Sequence, residues 1–84
     1  MTAQELARLI HNMPVGELVR ALERDGFTYK RRKKSGRLYC HPDGRRGVIH
    51  YHKSSDTLPI GTLRSLIQGA RWTEDDLRRL NLIK

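Results

Sequence analysis

Four histidines and one dense run of cations are the side chains here whose chemistry goes beyond packing. His50 and His52 stand two residues apart, so on a strand they share one face. An imidazole has an unperturbed pKa of about 6.5, so a pair can supply a proton acceptor and a proton donor near neutral pH. Taken by themselves the two read first as exposed strand residues and second as an acid–base pair. Lys and Arg are the side chains that steady negative charge on a phosphate. Residues 30–46 hold Lys30, Arg31, Arg32, Lys33, Lys34, Arg37, Arg45 and Arg46 against Asp43 alone. His11 and His41 read differently, His11 as a solvated residue at a helix end and His41 as the flank of a turn.

Nearly all of the net charge of +8 lies in that one segment, and the sequence pI is about 10.4. A small chain this basic is expected to meet a polyanion, most often nucleic acid. Five consecutive cations at 30–34 exceed what an edge strand needs to block unwanted pairing, so they are expected to contact RNA. Tyr29, Tyr39 and Tyr51 suit base stacking and suit strand packing equally well. Cys40 is the one cysteine, which excludes an internal disulfide and most Cys-based zinc sites. No signal peptide or membrane span is visible, so a cytoplasmic location is expected and no membrane partner.

The elements that must carry these residues follow from periodicity. With 84 residues, one domain over 1–84 is expected, with a thin core and no deep cavity. Leu6, Leu9, Ile10 and Met13 fall on one helical face behind a Thr2/Glu5 capping box. Val15, Leu18, Val19 and Leu22 repeat the pattern, and Gly26 ends it. Leu63, Leu66, Ile67 and Ala70 form a third stripe after Pro59. Thr73 and Asp76 can cap a short last helix carrying Leu77 and Leu80, with Trp72 docking it. Between Gly26 and Pro59 the period becomes two, giving strands over Phe27–Arg31, Arg37–His41 and Gly47–His52. Ser35-Gly36 and His41-Pro42-Asp43-Gly44 suit the turns. The order is α-β-β-β-α with one helix added at each end. The fold class is α+β, with a three-stranded antiparallel sheet backed by helices.

Ala21-Leu22-Glu23-Arg24-Asp25-Gly26-Phe27, then Leu38-Tyr39-Cys40-His41-Pro42-Asp43-Gly44-Arg45-Arg46, then Leu58-Pro59-Ile60-Gly61-Thr62-Leu63-Arg64-Ser65-Leu66-Ile67 resembles HicA, the toxin of HicAB toxin–antitoxin modules. The resemblance covers roughly residues 15–70, leaving an extra helix over 1–13 and a last helix over 72–84. It implies a double-stranded-RNA-binding-like fold and a metal-independent mRNA endonuclease, neutralised by a HicB-type antitoxin, with no cofactor. Members carry Gly-Ser-His at the start of the second strand, and that His is catalytic. Here the matching positions are Lys34-Ser35-Gly36, so the family's histidine position holds Gly36.

A replacement can come from the third strand. If Leu38 faces the core with Ile49 and Tyr51, His50 falls opposite Arg37 and His52 opposite Ser35, the two residues flanking Gly36. His50 and His52 are then the candidate acid and base, with Arg37 and Lys34 assisting and Ser35 orienting the phosphate. In the same register His41 pairs near Arg46, four residues from His50 and about 13 Å away, too far for one metal ion. Two other readings compete. One is an RNA-binding module or inactive toxin variant, motivated by Gly36. The other is an interaction protein whose basic face meets only an acidic partner, which predicts little affinity for RNA at moderate salt.

Overall fold

The computed structural model describes residues 1–33, 36–50 and 53–84, and for Lys33 the backbone alone. Thr2 caps α1 (Ala3–Leu9) in a reciprocal box with Glu5. Leu9 was expected on the buried stripe; it is exposed, and Ala7 is buried instead. The helix stops at Leu9, so the following Ile10 reaches the core from the cap position rather than from a continued stripe. After Pro14, α2 (Val15–Asp25) buries Val15, Leu18, Ala21 and Leu22. It closes on Gly26 at φ 103°, a left-handed conformation that glycine adopts without steric cost.

Three antiparallel strands follow in the spatial order β1 (Thr28–Lys33), β2 (Gly36–Cys40), β3 (Arg46–Ile49). Next comes α3 (Ile60–Ala70), which buries Leu63, Leu66, Ile67 and Ala70. Finally α4 (Glu74–Arg79) starts from the Thr73/Asp76 box. The class and element order match the periodicity. The strand ends move by one to three residues.

Tyr39 and Ile49 join the helical stripes of α1, α2 and α3 in one apolar cluster, which also takes in Trp72, Leu77, Leu80 and Leu82. The terminal helices are thus packed on the same core as the central elements.

The register differs from the expected one by one residue. Arg37 pairs with Ile49, Leu38 with Val48, Tyr39 with Gly47 and Cys40 with Arg46. The phase of β3 is as expected, with Ile49 inward. The phase of β2 is reversed: Tyr39, not Leu38, lies in the core cluster. Leu38 and Tyr39 are adjacent and both apolar, so alternation alone does not choose between them. Gly47 decides. A Cβ there would stand 2.8 Å from Leu66 Cδ1, so the bare backbone of β3 lets α3 close down beside Tyr39.

Candidate active site

Paired residues share a sheet face and neighbours along a strand alternate. Gly36, Leu38, Val48 and His50 therefore lie on one face, joined by Arg31 and Arg46 through their pairing with Leu38 and Cys40. Arg37, Tyr39 and Ile49 lie on the other, the face that carries the core. His50 was expected opposite Arg37. It stands instead beside Gly36, and the shifted register sends Arg37 to the opposite face. The expected grouping of His50 with Arg37 is not formed.

The contact with Gly36 is close. A Cβ built on Gly36 would stand 2.7 Å from His50 Cε1, 2.8 Å from Nδ1 and 2.9 Å from Val48 Cγ1. Carbon atoms ordinarily rest about 3.5–4.0 Å apart. The imidazole thus fills the volume that any side chain at position 36 would need. Gly36 is buried beneath it, while His50 itself is exposed. Gly36 thus makes room for the ring of a histidine that lies just past β3. Lys34, Ser35 and His52, also expected here, lie outside the described residues, as does Tyr51.

The eight cations expected to meet RNA divide. Lys30, Arg31, Arg32, Arg37 and Arg46 are exposed. Arg45 is not available in the same way, and this corrects the expectation. Its side chain is 15% exposed and donates to Asp25 at 3.0 Å, to Asp43 at 2.7 Å and to the Ala70 carbonyl at 2.9 Å. The guanidinium also lies 5.1 Å from the Phe27 ring centroid, in cation–π range.

Asp25 is the centre of that network. Its carboxylate, 5% exposed, also accepts from Trp72 Nε1 at 2.9 Å and from Arg79 at 2.8 Å. Burial pushes the Asp25 carboxyl up, but the hydrogen bonds from Trp72 and Arg79 and the charges of Arg45 and Arg79 outweigh it. The net direction is below the ordinary value.

His41 belongs to the same structural hub. Its Nδ1 accepts from the Asp43 backbone N–H at 3.1 Å, which leaves Nε2 to donate to the Asp25 carbonyl at 2.8 Å. Its ring meets Phe27 edge-on at 5.1 Å. The His-Pro-Asp-Gly-Arg turn thus pins the β2–β3 connection to the C-terminal ends of α2 and α3. His11 lies 2.9 Å through Nδ1 from the Arg8 carbonyl one turn back, as an exposed helix-end residue.

Sequence reasoning missed both Asp25 and the role of Arg45. A carboxylate just before a helix-ending glycine looks like any surface aspartate until Trp72, forty-seven residues away, is folded onto it. Among the described residues, no group of three or more His, Cys, Asp and Glu side chains is arranged to hold a metal, and no helix is long and apolar enough to cross a membrane.

The family model described as "HicA toxin of bacterial toxin-antitoxin" matches residues 15–72, from the first residue of α2 to the tryptophan on Asp25. A search of curated proteins found no match.

Proposed function

The chain belongs to the HicA toxin family of bacterial toxin–antitoxin systems, and from that premise we propose that it is an mRNA endoribonuclease whose working imidazole is His50. The observation that carries the reading is the place of the His50 ring, in the volume a residue at 36 would occupy. The family's histidine position is empty in sequence and filled in space.

In this reading His50 exchanges the proton of the 2′-OH or of the leaving 5′-oxygen. His52, two residues on, takes the other role. The 2′-oxygen bonds to phosphorus and the P–O5′ bond breaks, leaving a 2′,3′-cyclic phosphate and a 5′-hydroxyl. No electron acceptor or cofactor enters the balance. Arg31 and Arg46, which share the His50 face, are the cations placed to meet phosphates near it. Lys34 and Ser35 keep their proposed supporting roles, and a HicB-type antitoxin is the proposed partner that blocks this surface. Gly36 favours a second reading, a family member that binds RNA without cutting it.

The test is incubation of a long single-stranded RNA with the purified chain in excess EDTA, beside His50→Ala and His52→Ala. Cutting by the wild type that leaves cyclic phosphate ends, and is lost in His50→Ala, supports the proposal. RNA that is bound yet intact supports the non-cutting reading. Cutting that persists in His50→Ala removes His50 from the chemistry.

A further inference from the structure

On the core-bearing face, beyond the cover of the helices, Tyr29, Arg32, Arg37 and Tyr39 line a shallow depression of about 290 Å³. Nothing in the family's pattern assigns it a role. Tyr29 is 54% exposed, one of the few large apolar residues so placed. Its ring packs edge-to-face on the buried Tyr39, with centroids 5.8 Å apart. That contact leaves Tyr29 braced yet open to solvent.

The depression is created by an irregularity. Tyr29 pairs with Tyr39, but the next pairs are Arg31 with Leu38 and Arg32 with Arg37, so the register shifts at Lys30. In a regular strand Tyr29 would share its face with Arg31. The extra residue brings Arg32 to that face instead, opposite Arg37. Bulges of this kind re-aim side chains and recur beside functional sites. Like charges directly opposite on a sheet are destabilising. Here two arginines are aligned beside an exposed aromatic ring.

We propose that this depression is a nucleotide subsite for single-stranded RNA, with a base stacked on Tyr29 and an adjoining phosphate held between Arg32 and Arg37. It deepens the RNA reading above and rests on it for the identity of the polyanion. An aromatic face accepts any base, so the subsite adds affinity with little sequence preference.

The test uses a fluorescein-labelled single-stranded RNA of about eight nucleotides, the scale of a small stacking platform, with every 2′-oxygen methylated so that it cannot be cut. Binding is followed by anisotropy as salt is raised. Tyr29→Leu keeps apolar packing on Tyr39 but lacks an aromatic face. Tyr29→Phe keeps both. Thermal melts of both variants establish that they are folded.

The expected result is at least about a fivefold loss of affinity for Tyr29→Leu, the lower end of a base–aromatic stack, with Tyr29→Phe near wild type. Arg32→Gln and Arg37→Gln should each reduce the salt dependence by about 0.7 in log–log slope. Equal affinity for Tyr29→Leu and wild type overturns the subsite. So does a loss confined to binding of a co-expressed antitoxin, which would make the face a protein interface. Because the probe cannot be cut, the two proposals fail separately. Tight Tyr29-dependent binding beside intact natural RNA rejects only the nuclease, and cutting without Tyr29-dependent binding rejects only the subsite.

Discussion

Filling position 36 should be more harmful while His50 is present than in its absence. Gly36→Ala adds one methyl group where three atoms of His50 and Val48 stand 2.7, 2.8 and 2.9 Å away. Against an ordinary separation of about 3.5–4.0 Å, each contact is roughly 1 Å too close. Val48 is β-branched and stiff at χ1, so it gives way poorly. The exposed His50 ring is the group that must swing out. Overpacking of this kind typically costs about 1–3 kcal/mol. An opposite effect runs through the unfolded chain, where replacing Gly by Ala at a compatible backbone stabilises by about 0.4–1 kcal/mol. Gly36 is compatible, since positive φ among the described glycines is confined to Gly26 and Gly44. The net expectation is a loss of about 1 kcal/mol.

In a His50→Ala background the largest obstruction is gone and only the Val48 contact remains. The same methyl group should then cost less, its remaining 2.9 Å contact with Val48 set against the gain through the unfolded chain. Urea melts of the four proteins in this cycle measure the coupling, expected at about 1 kcal/mol, which is within the range for side chains in contact. Activity is read in parallel. Gly36→Ala should lower RNA cutting as it displaces the imidazole, while Gly36→His with His50→Ala returns the ring to β2 in a cleared volume. Strictly additive stabilities would falsify the claim that the His50 ring occupies the space over Gly36.

Three further outcomes follow from the network behind the turn. Asp25→Ala leaves Trp72 Nε1 and Arg45 without their shared acceptor, so it should cost about 3 kcal/mol, read as a drop in the urea midpoint; Asp25→Asn, which keeps one carbonyl acceptor, should cost less. Asp25, Asp43 and Asp76 all have carboxyls held below their ordinary value of 3.8. For each, burial pushes up and hydrogen bonds with nearby arginine charge prevail. The unfolded chain therefore takes up these protons first, so their contribution is complete above about pH 5 and is lost as pH falls through and below 3.8. A stability profile by thermal melting should decline over that window and much less in Asp25→Asn. Arg45→Ala should lower stability while leaving the salt dependence of RNA binding unchanged, whereas Arg31→Ala and Arg46→Ala should do the reverse, each lowering the log–log slope by about 0.7.

Much of the fold could be read directly because local signals agree with one another. Capping boxes at Thr2 and Thr73, the stop at Gly26 and the stripe of α3 all act within a few residues, and each holds; in the stripe of α2, Val15, Leu18 and Leu22 are buried as expected, but Ala21 is buried where Val19 is only half-buried. The errors occur where the decision is made at a distance. Leu38 and Tyr39 offer two equally apolar phases, and the choice is made by Leu66 closing onto Gly47 from α3. The bulge at Lys30 falls in an unbroken basic run, where no change of residue type marks it. Arg45 counts as surface charge in any composition argument, yet its partners come from α2, α3 and the adjoining turn.

The same distinction bears on the missing histidine. From sequence, Gly36 stands where the resemblance implies a histidine. In three dimensions a sheet position is a volume, and either neighbouring strand can fill it. Had β2 taken its expected phase, His50 would have stood over Arg37, and Gly36 would have left a gap. In the observed phase the His50 ring lies over Gly36, where a bare backbone leaves it room. A side chain at 36 and the ring of His50 exclude each other within 3 Å. The glycine in β2 and the histidine just past β3 are therefore one structural feature. Under the proposed function, that feature is how the imidazole reaches the site from the neighbouring strand without a change of fold.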